Sequence, residues 1–248
     1  MSRLADDGDS LISHLIELRN RLVRAVMVLG VAFAILVPFS NTLYHWVAAP
    51  LLKKLPVGGQ LIAIDVVSPF FAPIKLTFFI ALMSAMPFIL YQAWAFVAPG
   101  LFKHERRIAK PMLISAVALF YTGCAFAYFV MMPAMFAFLT STAPEGVSMM
   151  TDISQYLDFV LIVFLAAGLA FEMPVAVLVL AALGLVTPAQ LRESRGYVVV
   201  GIFIVAAIIT PPDALSQLML AVPMMILYEV GVIAAAALAR SKPDPAAE

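Results

Sequence analysis

Four acidic side chains stand where an acid is costly or conspicuous, and each points to a different chemistry. Glu172 lies inside the apolar run 159–185, two residues before Pro174. An acid at bilayer depth costs ~2.5–3.5 kcal/mol even on the lenient insertion scale, so this carboxyl must face protein or water. Two readings are open: a protonated group hydrogen-bonded to a neighbouring helix, or a polar docking or proton-linked site. Glu229 is nearer the end of its apolar run, where solvation is easier, and reads as structural. Glu17 precedes Arg21 by one helical turn, the spacing of a surface pair worth about 0.2–0.5 kcal/mol. Glu105 is the single acid in the basic run Lys103-His-Glu-Arg-Arg107. Across the N-terminal helix and the two central basic loops the acids are Glu17, Glu105 and Glu193, so a cationic partner has few places to be received there. Should Glu17 and Glu105 converge in space, they form a two-pronged carboxylate site for a pair of guanidinium groups, each contact worth roughly 1.5–3 kcal/mol.

Other chemistries lack their residues. His14, His45 and His104 fall outside the apolar runs, and no HExxH or convergent carboxylate cluster accompanies them, so neither a metal site nor a cofactor is expected. Gly58 and Gly59 are isolated rather than part of a phosphate-cradling loop, and no GxSxG elbow occurs, which argues against an enzyme. The lone Cys124 excludes an intrachain disulfide or CxxC pair and reads as packing. Fifteen basic and fifteen acidic residues cancel, which disfavours nucleic acid as a partner.

The elements that must position these acids are membrane spans. Of 248 residues, 64% are hydrophobic and 12% charged, with a mean hydropathy of +1.03, against roughly half and a quarter for soluble domains. Apolar runs predict an all-α integral membrane protein, a single domain over 1–240 with six transmembrane helices at 25–40, 76–99, 111–139, 159–185, 197–210 and 214–239. The run 197–210 covers 14 residues, about 21 Å of helix, so the bilayer must thin or neighbours must cover it. Glu229 interrupts the last run, and a concave bundle with short fifth and sixth spans is expected. Leu11, Leu15, Leu18 and Leu22 form one stripe, predicting an amphipathic interfacial helix over 10–22, and 241–248 reads as a flexible tail. Pro87, Pro133, Pro174 and Pro223 fall inside spans and predict kinks. Twelve Lys and Arg fall on one face of the six-span topology, two on the other, and Lys75 near the start of the second span. That asymmetry places both termini in the cytoplasm. Asp6, Asp7 and Asp9 precede the first run, unlike the basic start of a cleaved signal. At Thr210-Pro-Pro-Asp213 the prolines stop one helix, and Asp213 is suited to cap the next.

Taken together, several motifs resemble the TatC family, multispanning subunits of the twin-arginine protein translocase. They are HLIELR at 14–19, SPFFAPIK at 68–75, YQAWAFVAP at 91–99, FKHERR at 102–107, FAYF at 126–129, FEMP at 171–174 and TPPDALSQ at 210–217. The resemblance implies a receptor in the bacterial inner membrane. It would bind twin-arginine signal peptides at its cytoplasmic face and, with small single-span TatA-like and TatB-like partners, export folded proteins using the proton gradient. It further implies a larger complex holding several copies of the chain within membrane lipid. Carried over by position, Glu17 and Glu105 receive the arginine pair, with Arg19 and Phe96 linked to recognition. Glu172, Thr210 and Gln217 become the intramembrane polar sites for partner helices, while Pro50, Asp65, Pro87, Tyr128 and Asp213 shape caps and kinks. Ala207 departs from relatives with a larger side chain in that patch. The alternative is a proton-coupled small-solute carrier centred on Glu172, although the spans offer few other polar groups to coordinate a solute.

Overall fold

The computed structural model describes residues 2–52, 60–97, 109–142, 150–210 and 213–240, and among them the chain is helical apart from one pair of three-residue strands. Helix α1 (Ser2–Leu36) runs unbroken through both the amphipathic stretch and the first apolar run. A 3-10 turn, Val37–Phe39, carries Pro38 and joins it to α2 (Ser40–Leu52). Strand β1 (Gln60–Ile62) precedes α3 (Ser68–Val97). Then come α4 (Ala109–Phe126), a π-helical segment at Ala127–Met131, and α5 (Met132–Ser141). Strand β2 (Met150–Asp152) leads into α6 (Ile153–Ala170), α7 (Met173–Ala182), α8 (Pro188–Glu193), α9 (Arg195–Ile209) and α10 (Ala214–Arg240).

Among the described residues, five helical stretches are long and apolar enough to cross a membrane: Ser13–Trp46, Ser68–Val97, Lys110–Phe138, Ile153–Ala182 and Ala214–Arg240. Helix α9, with 15 residues, spans about 22 Å and falls short of a ~30 Å hydrocarbon core. The last helix corrects the expectation that both final spans are short, because α10 has 27 residues and a length of about 40 Å. Its acid does not interrupt it. Arg195 Nη2 donates to Glu229 Oε2 at 2.7 Å, and the neighbouring Tyr228 hydroxyl donates to the Leu191 carbonyl at 2.6 Å, so α8 and α9 hold this end of α10 in helical register.

Proline chemistry sets the interruptions. Pro174 has no N–H to offer the carbonyl one turn back, so α6 stops at Ala170 and α7 restarts at Met173 with Pro174 in its tolerant first turn. Pro133 likewise cannot continue the regular ladder, and the π-helical segment lies just ahead of it. Thr210, preceding Pro211, takes extended angles of φ −96° and ψ 157° and ends α9. Gly184 adopts φ 72°, left-handed backbone that terminates α7, and a capping box between Thr187 and Gln190 then opens α8.

Packing is tightest where side chains vanish. A Cβ added at Gly123 would lie 2.5 Å from the Ala167 carbonyl oxygen, and one at Gly168 would lie 2.7 Å from the Phe120 ring, so α4 and α6 meet backbone to backbone. The π segment, α5, α6, α9 and α10 share a core around Met131, Met135, Val163 and Leu220. By contrast Ala25 is the one buried apolar side chain of α1 among the described residues, and Leu15, Leu22, Val26 and Val31 are exposed, as suits a helix facing lipid.

One end of the bundle is closed by the strand pair. Strands β1 and β2 are parallel, with Ile62 opposite Asp152. Asp152 Oδ2 accepts the Ile64 amide at 3.0 Å, while Oδ1 accepts Ser154 at 2.8 Å and Gln155 at 3.1 Å, capping α6. The bonds from Ile64 and Gln155 hold this carboxyl below the usual carboxylate range, against the opposing effect of burial. Lys75 Nζ donates to both oxygens of Asp158 at 2.8 Å and to Ser154 Oγ at 3.1 Å, fastening α3 to α6.

Candidate functional site

The N-terminal half of α1 is docked on the C-terminal end of α3 through aromatic contact. The His14 imidazole stacks on Phe96, ring centroids 4.3 Å apart and planes 28° from parallel. Glu17 follows His14 by three residues, so helical geometry puts both on one face of α1 beside that contact. The Glu17 carboxylate is already holding a guanidinium, since Arg21 Nε donates to its Oε1 at 2.9 Å. Arg19 is exposed and its Nη2 donates to Asn20 Oδ1 at 3.3 Å. The stack therefore joins Phe96 to the helix carrying Glu17 and Arg19, while Glu105 lies outside the described residues. Sequence reasoning passed over His14 as a participant, because a histidine outside the spans gives no sign of the ring it will meet.

Behind Phe96 the end of α3 is fixed in place. Trp94 is buried and packs with Met112 of α4 and Val175 of α7. Gln92 is also buried, and its Oε1 has no hydrogen-bond partner among the described residues. An unmatched buried acceptor beside a candidate binding surface is a polar atom ready for a donor.

Glu172 occupies the two-residue break between α6 and α7. The Glu172 amide donates to the Leu169 carbonyl at 3.1 Å, and the Glu172 carbonyl accepts from the Ala176 amide at 2.9 Å, so the break is braced on both sides. The side chain lines a cavity of about 310 Å³ together with Met173, Val205, Ile209, Leu220 and Met224. No hydrogen bond to a neighbouring helix is formed by its Oε1, which is buried and unpartnered among the described residues. Every other residue lining that cavity is apolar.

Thr210 and Gln217 meet at the junction of α9 and α10. The buried Thr210 hydroxyl donates to the Ala206 carbonyl at 2.8 Å, and the Gln217 amide nitrogen donates to the Phe203 carbonyl at 3.1 Å. Ile209, next to Thr210, and Leu220, one turn beyond Gln217, both reach the Glu172 cavity. Glu172 thus lines the hollow itself, whereas Thr210 and Gln217 reach it only through these neighbours on α9 and α10. Asp213 Oδ1 accepts the Ser216 amide at 2.7 Å and caps α10, while its Oδ2 and the Ser216 hydroxyl are buried without partners among the described residues.

The remaining positions lie within the scaffold. Pro50 is in α2 and Pro87 is inside α3. The Asp65 carbonyl accepts the Ser68 hydroxyl at 2.9 Å at the start of α3. Tyr128 is in the π-helical segment, its ring edge-on to Phe164 of α6 at 6.2 Å.

Comparison with known proteins meets this geometry from outside. Residues 13–223 match the family model described as Sec-independent protein translocase protein (TatC). The chain is 54% identical over 227 residues to the Sec-independent protein translocase protein TatC of Escherichia coli strain K12, covering 92% of this chain and 88% of that protein. It is 53% identical over 243 residues to the protein of that name from Azotobacter chroococcum mcd 1, covering 98% and 95%. A crystal structure of a twin-arginine translocase receptor, TatC, superposes with a TM-score of 0.80 at 35% identity, over 92% of this chain and all of that one. By family match, identity and fold together, the chain belongs to the TatC family and is a subunit of the twin-arginine protein translocase.

Proposed function

We propose that this subunit is the receptor for twin-arginine signal peptides, which it engages at the surface where α1 meets α3. The observation that carries this reading is that Glu17, on the helix face beside the His14–Phe96 stack, already binds a guanidinium. A carboxylate set to hold Arg21 needs no rebuilding to hold an arginine from outside. The internal pair is partly exposed, its side chains 20% and 37% accessible, so it is worth only about 0.3–0.5 kcal/mol and is readily displaced. Glu105 supplies the second carboxylate, and Phe96 offers an apolar surface to the segment after the arginines. The twelve-to-two distribution of basic residues supports a cytoplasmic location for this surface and for both termini, in a bacterial inner membrane crossed six times, with α9 as the short fifth span.

The hollow around Glu172 serves a second task, the docking of single-span TatA-like and TatB-like partners. An apolar wall with one carboxyl whose Oε1 is unpartnered among the described residues suits an apolar helix bearing one polar residue, and the chain neighbours of Thr210 and Gln217 form part of that wall. Such bonds average ~0.6 kcal/mol by double-mutant cycles, so they select a register more than they supply affinity. The same wall disfavours a small-solute carrier, because a solute there would meet no polar group except Glu172. Export of folded cargo would then draw on the proton gradient and on several copies of the assembly.

The test is binding of a peptide with a twin-arginine n-region and an apolar h-region to the protein in lipid, against a lysine-pair control. Glu17→Ala and Glu105→Ala should each weaken binding roughly ten- to hundredfold, the worth of one charge-assisted contact. Binding indifferent both to the arginines and to the two carboxylates would remove the receptor role from this surface.

A further inference from the structure

A second hollow, of about 500 Å³, lies between α1, α3 and α6. Phe33, Phe78, Leu82, Leu161 and Leu165 form its apolar walls, and the Lys75–Asp158 pair stands at one end. The walls are braced by ring contacts: Phe33 meets Phe78 edge-on at 5.6 Å, and Phe79 meets Phe164 at 6.2 Å. From the ion pair to Leu82 and Leu165 is seven residues on each helix, about 10 Å of rise. Helix α3, with 30 residues, is about 45 Å long, matching a whole bilayer with its headgroup layers. Lys75 is eighth in that helix, about 10 Å from its end, which puts the pair where acyl chains give way to headgroups.

We propose that this groove binds a phospholipid whose headgroup carries both a phosphate and a primary ammonium, its acyl chain lying along the apolar walls and its headgroup on Lys75 and Asp158. The choice of occupant follows from charge complementarity. Lys75 and Asp158 are 39% and 48% exposed, so both charges are open to a ligand despite their mutual bond. Two of the three Lys75 donors go to Asp158 and the third to Ser154 Oγ, so a phosphate takes the place of one of these, while the carboxylate, with about four acceptor positions, has room for a further donor. A phosphate reaching Lys75 places its own charge beside Asp158, a repulsion that an anionic lipid cannot offset. A headgroup that adds a primary ammonium does offset it, by donating N–H to Asp158 while the phosphate accepts from Lys75. A quaternary ammonium has no N–H to donate and loses the second contact.

The test is native mass spectrometry of the full chain, equilibrated with equal amounts of phosphatidylethanolamine, phosphatidylcholine and phosphatidylglycerol of identical acyl chains. Phosphatidylethanolamine should be retained about tenfold over phosphatidylcholine, the ratio expected of one added charge-assisted bond. Asp158→Asn should level the two, and Lys75→Gln should release all three. Leu161→Trp, which fills the groove and leaves the ion pair untouched, should release bound lipid while the thermal unfolding temperature holds, and it decides the matter if the charge variants do not fold. Equal retention of the first two lipids, a preference that survives Asp158→Asn, preferred retention of phosphatidylglycerol, or lipid still bound to Leu161→Trp would overturn the proposal.

Discussion

If Glu17 receives a signal-peptide arginine as proposed, Arg21 is its internal competitor, and removing Arg21 should tighten peptide binding. In the free protein Arg21 donates to Glu17 Oε1 through Nε at 2.9 Å, within one turn of α1. An incoming guanidinium must first break that contact. Pairs of this spacing at partly exposed positions are worth about 0.3–0.5 kcal/mol, which sets the opening cost. Arg21→Gln abolishes the cost and should lower the dissociation constant by about twofold, since 0.4 kcal/mol is close to that factor. Glu17→Gln should move it the opposite way by at least about tenfold, because a charge-assisted bond is lost. In the double variant nothing is left to compete for, so Arg21→Gln on the Glu17→Gln background should change nothing. Isothermal titration at 0.15 M salt, where the Debye length is about 8 Å, keeps the altered net charge from mimicking the effect. If Arg21→Gln weakened binding as much as Glu17→Gln, the arginine would be part of the receiving surface and the displacement argument would be refuted.

Three further outcomes are expected. Gly123→Leu should destabilise the protein in detergent by at least about 1–3 kcal/mol, because even its Cβ falls 2.5 Å from a backbone oxygen, whereas Gly30→Ala meets nothing within 4 Å and should leave thermal unfolding unchanged or raise it. Asp152, whose folded-state pKa is depressed, contributes stability that is fully present above its unfolded value and is lost as pH falls through the lower folded one. Unfolding followed from neutral to acid pH should therefore show a loss at the acid end that Asp152→Asn flattens, and an unaltered profile in that variant would contradict the capping account. Glu172→Leu should raise thermal stability, by up to ~2.5–3.5 kcal/mol, while lowering export of a twin-arginine reporter, since it removes a half-buried carboxyl whose Oε1 has no partner among the described residues and with it the proposed docking group. A variant that is more stable and fully active would strip Glu172 of any role.

What could be read without the structure followed local physics. Apolar runs, the proline beside Glu172 and the cap at Asp213 are consequences of a residue and its near neighbours, and the break at Phe171–Glu172 sits where Pro174 alone would put it. The run 214–239 nearly matches α10, but the shortness expected of that span fails for the opposite reason. Glu229 looked like an interruption because its partner, Arg195, comes from 34 residues earlier in the chain. The His14–Phe96 stack, the Lys75–Asp158 pair and the β1–β2 pairing are equally non-local, joining positions separated by about 80 or more residues in sequence. No periodicity announces such partners. The carboxylate at Glu17 was visible as a candidate, but its present occupation by Arg21 is a matter of geometry.

The two polar regions are not independent features of the fold. Phe96 lies near the end of the helix whose Trp94 shares an apolar cluster with Val175, and Val175 lies three residues beyond Glu172 on the far side of Pro174. A single apolar cluster thus connects the surface beside Glu17 to the start of α7. Packed contact alone transmits nothing unless some element along it has two arrangements. The place to look for them is the α6–α7 junction, where the Glu172 amide bonds Leu169 rather than the carbonyl a full turn back and the Glu172 Oε1 is buried without a partner among the described residues. On the proposed receptor reading, a peptide that shifted the end of α3 would disturb the cluster that Trp94 shares with α7, and α7 could respond by rotating about that junction. Such a rotation would change what Glu172 presents to a docked helix, which is how recognition at one end of a small bundle can alter partner contacts near its middle.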